Sequence, residues 1–308
     1  MNIGAILKST NLHKDIHDPN APKLVIDLNK VVEMVATEGV EVNTQELEDG
    51  VDVRIRVLEG AIIERPVHLC FGISHDKAIQ RIVMNVDIEP RAQIKVLSHC
   101  IFPTAVDIQH IMDGKINIGE GSRYIYEERH IHSEQGGIRV LPKAKVYVGP
   151  HAQFKTDFEL VKGRVGKIDI NYETICDAHS ITEMTAKISG RSDDEIELHE
   201  TGYLNGEGSV GVLNTRVAVR DTASAKIYNK LVAMAPYARG HVDCKEIIQD
   251  HATASAIPIV DVRNPKAHIT HEAAIGSVDN KQLETLMARG LNEDEAVDLI
   301  IEGLLETQ

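Results

Sequence analysis

Tryptophan is absent from this chain, and Phe and Tyr are so sparse that aromatics make up 4% of it. With so few flat rings, the usual stacking platforms for bases and sugars are missing. A core must then come from Val, Ile, Leu and Ala. Cysteine is scarce too: Cys70, Cys100, Cys176 and Cys244, with no two in a CxxC pair. A disulfide framework is not expected in a chain of 308 residues, and each thiol reads first as a small buried hydrophobe. Lysine and arginine number 33 against 47 acidic residues, a net charge of −14. Such a chain repels phosphate backbones, which argues against nucleic acid as a partner. No apolar run approaches the roughly 20 residues that cross a bilayer, so no membrane partner is expected. The opening MNIGAILKSTNLHKD carries only a short apolar patch; export is not expected, and the chain reads as cytoplasmic. Also missing are GxxxxGK[ST], GxSxG, HExxH and an EF-hand loop. GEGSVG has glycines without a strand–helix context, so nucleotide chemistry has no seat in this sequence.

What is present is alternation. From about residue 56 to 276 the chain is a succession of stretches such as VRIRVLEG, RIVMNVDIE, RYIYEERHIH, KIDINYETI and EIELHETG, which pair a period of two with Val, Ile and Tyr. This pattern predicts strands. Small residues recur at the turns between them: Ala92, Gly121, Ala152, Ala178, Gly208, Ala223, Ala252 and Ala267. Their separations are 29, 31, 26, 30, 15, 29 and 15, a period near 30 with half-steps near 15. Such a period marks stacked coils, because a tight corner lying on its neighbour has no room for bulk. The prediction is a mostly β chain built as a parallel β-helix. An antiparallel sandwich, whose hairpins need no fixed period, is the alternative. Residues 1–55 are mixed: KLVIDLNKVVEMVATEGV (23–40) predicts a strand running into a short amphipathic helix that ends at Gly39, an α/β segment. Residues 277–308 predict two helices, the first with Asp279 as N-cap and Gly290 as stop, the second with Asn292 as N-cap. Leu283, Leu286 and Met287 share one apolar face, and Ala296, Val297, Ile300 and Leu304 share another. These faces either cap the β-helix or dock a partner protein.

The chemically interesting side chains collect in residues 239–272. His241, Asp243 and Cys244 sit on one strand, Asp250 and His251 at the next corner, and His268, His271 and Glu272 about one coil later. Cys244 and Glu272 are 28 apart and Asp243 and Glu272 are 29 apart, so the coil period brings a carboxylate, and with it a thiolate or a second carboxylate, together. Thiolate, imidazole and carboxylate suit iron or zinc. One cysteine is too few for a finished cluster, which leaves open a labile site, a site shared between two subunits, or no site. The histidines and Glu272 read equally well as the polar face of an exposed strand.

Residues 259–305, IVDVRNPKAHITHEAAIGSVDNKQLETLMARGLNEDEAVDLIIEGLL, resemble the C-terminal signature of the SufB and SufD iron–sulfur cluster assembly scaffold proteins. The resemblance rests on a P-x-(V/I)-x-x-RNP turn, a strand ending in HEA, and the Q-L-x-x-L-x-x-R-G helix pair. It is specific over about 60 residues and extends upstream through RGHVDCKEIIQDHATA. It implies a right-handed parallel β-helix core with a C-terminal helical segment, and pairing of two such subunits through their β-helices. It also implies docking of a SufC-like ABC-type ATPase on the helices, with Leu283, Leu286, Met287, Val297 and Ile300 as the contact residues. By position, Glu272 matches the interface glutamate of SufB-like members and His271 the interface histidine of SufD-like members, which implies a homodimer combining both roles. The cysteine departs from the pattern, since in SufB-like members it precedes an aspartate and here the order is Asp243–Cys244. Either Cys244 is the ligand or Asp243 holds that position with Cys244 buried, because adjacent strand residues face opposite sides. Cys70, Cys100 and Cys176 have no motif support; receiving or relaying sulfur inside the β-helix is a role open to each. The cargo implied is a labile iron–sulfur cluster, 4Fe–4S or 2Fe–2S, built on Cys244, Glu272 and His271 with sulfur from a donor protein and passed to apo-proteins. The chain itself would be a scaffold and not an enzyme. Two other readings compete: an ATPase-recruiting subunit without its own cluster, and a carbohydrate-active β-helix enzyme, which the few aromatics oppose.

Overall fold

The computed structural model describes Ile16 and residues 18–306. The segment MNIGAILKSTNLHKD, read above for export, lies outside the described residues. Nineteen strands follow one another: β1 (Lys23–Asp27), β2 (Lys30–Val35), β3 (Val40–Glu46), β4 (Gly50–Val57), β5 (Val67–Gly72), β6 (Lys77–Ile88), β7 (Gln93–Phe102), β8 (Asp107–Ile118), β9 (Arg123–His132), β10 (Ile138–Val148), β11 (Gln153–Lys162), β12 (Lys167–Cys176), β13 (Ile181–Gly190), β14 (Glu195–Leu204), β15 (Val210–Val219), β16 (Ser224–Ala233), β17 (Arg239–Ile248), β18 (Thr253–Val262) and β19 (His268–Gly276). Two helices close the chain, α1 (Asn280–Met287) and α2 (Glu293–Glu306).

From β5 onward, successive strands go to alternate sheets and pair in parallel with the strand two places away. The result is a parallel β-helix of two facing sheets, one of ten strands and one of nine. The register fixes the coil. Gln93, Arg123, Gln153, Ile181, Val210, Arg239 and His268 lie one above another, so each coil takes 28 to 30 residues. Alternation then sends every second side chain into the lumen. Val57, Ile88, Ile118, Val148, Cys176 and Leu204 form one such ladder, and all are buried. Cys176 is therefore a rung of an aliphatic stack. Each fully buried aliphatic rung contributes about 1.5–3 kcal/mol.

The corners explain the recurrence of small residues. Arg91, Gly121, His151, His179, Gly208 and Tyr237 all adopt positive φ, and each of the first five donates its backbone N–H to the carbonyl before the corner residue of the next coil. The residue after each is small and buried: Ala92, Ser122, Ala152, Ser180, Ser209 and Ala238. The small-residue pattern thus falls in phase at Ala92 and Ala152, one residue early at Gly121 and Gly208, and two early at Ala178. Ala223 and Ala252 follow the left-handed residues Asp221 and Asp250 of a second corner, and alternating between corners produces half-steps near 15.

One expectation is overturned at the N-terminus. Residues 23–40 form no helix; they make β1 and β2, an antiparallel hairpin whose turn holds Leu28 at φ +57°. Val31, Val32 and Val35 favour the strand, and β1 has a second neighbour in β5 that a helix could not pair with. Among the described residues the N-terminal segment is β, not α/β. Its later strands join the core: β4 runs across residue 55 and pairs in parallel with β6.

At the far end, β18 and β19 are the outermost strands of their sheets. The helices lie beside the coil and leave that edge uncapped. Asp279 caps α1 by accepting from the Gln282 N–H at 2.8 Å, and Asn292 and Glu295 exchange hydrogen bonds of 2.9 Å each at the start of α2. Val297, Ile301 and Leu305 of α2 pack with Ala218 and Val278 in a satellite core, and Arg220 pairs with Asp298 at 2.7 Å.

Candidate functional site

The exposed end of the β-helix carries the residues that the sequence singles out. β17 and β19 pair with Asp243 opposite Glu272, Cys244 opposite Ala273 and Val242 opposite His271. The 29-residue spacing is thus the true register, and Asp243, not Cys244, shares a face with Glu272. These two carboxylates point outward, one coil apart. Asp243 is nearly buried and held by Arg216 at 2.6 Å and Lys245 at 3.2 Å. Burial pushes its carboxyl up, but the hydrogen bonds and charges of these two cations outweigh it and leave it below the ordinary value. Glu272 and His271 are exposed on the last strand, as is His268, and His241 shares a 2.8 Å hydrogen bond with Thr270.

Cys244 faces the lumen, fully buried, with the Asn229 amide 3.5 Å from its sulfur. Burial, reinforced by the negative charge of Glu246, pushes its thiol up to about 12, so it rests as the neutral thiol. Only the terminal strand lies between it and the open end. Glu246 and Glu200 also face inward and are buried; burial raises their carboxyls to about 7 and about 8. Ile257, Ile259, Val262 and Ile275 are exposed on β18 and β19, an apolar rim around an unpaired strand edge.

On the helices, Val297 is buried against the β-helix and Ile300 and Leu283 pack partly there, while Leu286 is half-buried and Met287 faces solvent with Leu299. The expected docking set is therefore divided between the two faces.

A second constellation lies deep in the lumen. Cys100 of β7, and Glu128 and His130 of β9, bring one donor atom each within 4.8 Å of one another, all buried. Cys100 and His130 are register neighbours. His110 of β8 reaches across from the facing sheet, its Nε2 3.7 Å from the Cys100 sulfur. Burial raises the Glu128 carboxyl, but the hydrogen bond and charge of His130 outweigh it, so Glu128 lies below its ordinary value. Sequence reasoning missed this cluster. Its signal was present: RYIYEERHIH puts Tyr, Glu and two His on the inward phase of an alternating strand, where aliphatics are expected.

The family model described as "SUF system FeS cluster assembly, SufBD core domain" matches residues 71–304. The chain belongs to the SufBD family. An iron–sulfur cluster assembly SufBD family protein of Methanocaldococcus jannaschii is 37% identical over 303 residues, covering 98% of this chain and 96% of that one. A second, from Pyrococcus horikoshii, is 33% identical over 300 residues, 97% and 91% of the two chains. The SufB protein of Bacillus subtilis is 36% identical over 70 residues, 22% of this chain and 15% of its own. SufBD membership gives the chain a role in iron–sulfur cluster assembly. Among the described residues no helix is long and apolar enough to cross a membrane.

Proposed function

We propose that this chain is the scaffold subunit on which a labile iron–sulfur cluster is built, at an interface formed when the open ends of two β-helices meet. The observation that carries the reading is the β17–β19 register, which stacks Asp243 on Glu272 at an uncovered strand edge, with the exposed His271 of the same strand stacked on Val242 on the other face. An unpaired edge rimmed by Ile257, Ile259, Val262 and Ile275 is unstable in water, and a second copy is a partner that satisfies it symmetrically. Carboxylate and imidazole from each copy bind iron weakly enough to release it.

Cys244 enters this site only when β19 moves. Its thiol lies beneath Ala273 and is held neutral; displacement of the edge strand admits water, lowers the thiol pKa and supplies the thiolate that iron and sulfide require. An ABC-type ATPase docked on the outward face of α1 and α2, where Met287 and Leu299 are exposed, supplies the pull. The Arg220–Asp298 pair and the satellite core link α2 to β15, which is hydrogen-bonded to β17, so a force on the helices reaches the site. The test is anaerobic reconstitution with ferrous iron and sulfide beside the ATPase, comparing wild type, Glu272→Ala and Cys244→Ser. Loss of bound iron in both variants supports the assignment; wild-type cluster content in both contradicts it.

A further inference from the structure

We propose that the lumen cluster of Cys100, Glu128 and His130, with His110 drawn in as fourth donor, is a closed site for one borderline-soft divalent ion of the iron(II) or zinc class. It is distinct from the cluster-building edge and stands or falls independently of it.

The Cys100 sulfur, a Glu128 oxygen and a His130 nitrogen lie within 4.8 Å of one another, and His110 Nε2 lies against the sulfur at 3.7 Å; the hydrogen-bond network turns both imidazole lone pairs toward this group. Gln80 donates its amide N–H to the carbonyls of Leu28 at 2.7 Å and Gly72 at 3.2 Å, so its oxygen faces His110. His110 Nδ1 must then donate to that oxygen, at 2.9 Å, which leaves the Nε2 lone pair facing the Cys100 sulfur. The same logic runs from the other side. His132 Nδ1 donates to the Arg164 carbonyl at 2.9 Å, so its Nε2 accepts from His130 Nδ1 at 3.1 Å. His130 Nε2 is thereby left as a lone pair aimed at the Glu128 carboxylate, 2.8 Å away. Two acceptors in contact need a cation between them: a shared proton, or a metal.

The spacing fits the metal. Bonds of about 2.3 Å to sulfur and 2.0–2.1 Å to nitrogen or oxygen at tetrahedral angles place sulfur about 3.6 Å from its neighbours. The Cys100 sulfur is 3.7 Å from His110 Nε2 and 3.6 Å from Glu128 Oε1. The Glu128–His130 distance is that of a hydrogen bond and would open by about half an ångström as the shared proton leaves.

Charge balances as well. The neutral thiol, the His110 imidazole and the Glu128–His130 pair with the one proton it shares sum to zero. A divalent ion that displaces the thiol proton and the shared proton meets one thiolate and one carboxylate, and the sum is again zero. Burial therefore penalises neither state with a net charge, and two protons leave per ion bound.

The walls are dry. Three of the chain's four Phe surround the donors: Phe71 and Phe102 lie 6.2 and 5.1 Å from the His110 ring, and Phe158 lies 4.8 Å from the His130 ring. The outer partners Gln80, His132 and the Arg164 carbonyl fix each imidazole from behind, as partners of metal-bound histidines do.

The experiment uses the full chain produced in cobalt-supplemented medium and desalted without oxygen. Expected are about one cobalt ion per chain held against a chelator, a thiolate-to-cobalt charge-transfer band, and an X-ray absorption shell of about one sulfur and three nitrogen or oxygen atoms. The wild-type shell reads the donor set without requiring any variant to fold. Cys100→Ser removes the band, whereas Cys244→Ser and Glu272→Ala keep it. Gln80→Leu, which loses the partner that orients His110, weakens retention by ~10–100-fold. The proposal is overturned if folded wild type keeps no cobalt, if the shell lacks sulfur, or if Cys244→Ser removes the band and Cys100→Ser does not.

Discussion

Arg216→Ala strands a carboxylate. In the native chain the Arg216 guanidinium meets Asp243 at 2.6 Å, with side-chain exposures of 8% and 10%. Arg216 also donates to the carbonyls of Thr215 and Asp243, so three acceptors lose a donor. Breaking a fully buried ion pair costs ~3–5 kcal/mol. Here Lys245 stays within 3.2 Å of Asp243 and is 43% exposed, which gives the carboxylate a partial, screened replacement. We therefore expect a loss of ~2–3 kcal/mol. The assay is urea unfolding under anaerobic conditions, read as a midpoint shift at unchanged slope. Arg216→Ala/Asp243→Ala removes the stranded charge and regains at least about 1 kcal/mol over the single variant. Because the Asp243 carboxyl is held below its ordinary 3.8, the stability it contributes is fully present above that value. That contribution is lost as the pH falls through the lower native value, so the wild-type advantage closes on the acid side. A single variant within about 0.5 kcal/mol of wild type, or a double variant as unstable as the single, refutes the reasoning.

Other outcomes follow from the same structure. Gly137→Ala would place a Cβ 2.0 Å from the Val106 carbonyl oxygen at φ +79° and should cost more than about 2 kcal/mol, while Gly276→Ala, which meets nothing within 4 Å, should be near neutral in the same melt. All four thiols are buried, so mass spectrometry after brief alkylation of the native chain should find none modified and find four modified in urea; rapid labelling of Cys244 without the ATPase would show that the edge is already open. Burial raises the Glu200 carboxyl to about 8, so the folded state holds its proton more tightly than the unfolded chain, and ionisation erodes stability as pH climbs from about 4.5 through that value. Glu200→Gln should thus gain on wild type by ~1–3 kcal/mol near pH 9 and lose that margin near pH 5; a gap that does not change with pH would contradict the assignment.

The fold was legible because a coil repeats a physical constraint. Six successive turns at one corner present a left-handed residue followed by a small one, and that recurrence survives in sequence even where its phase slips, as at Ala178. The same period brought Asp243 and Cys244 within one residue of Glu272's register from arithmetic alone. It did not say which of Asp243 and Cys244 faces outward, because parity depends on the exact register, and 28 and 29 look alike until the strands are paired. The N-terminal helix failed for a different reason: Val31 to Val35 can be read with either period, and the strand wins because β1 finds a partner in β5. The lumen cluster was missed because its donors come from two coils and both sheets, and proximity across a lumen leaves no mark on spacing within one strand. What could have betrayed it is phase, a glutamate and two histidines on the inward side of β9.

Native mass measurement of the anaerobically isolated complex with the proposed ATPase partner tests the central claim most directly. The account predicts two copies of this chain with the ATPase, together with iron and sulfide that disappear when Glu272 is replaced by alanine. A single copy, or a pair whose mass includes no iron and sulfide with oxygen excluded, would contradict it.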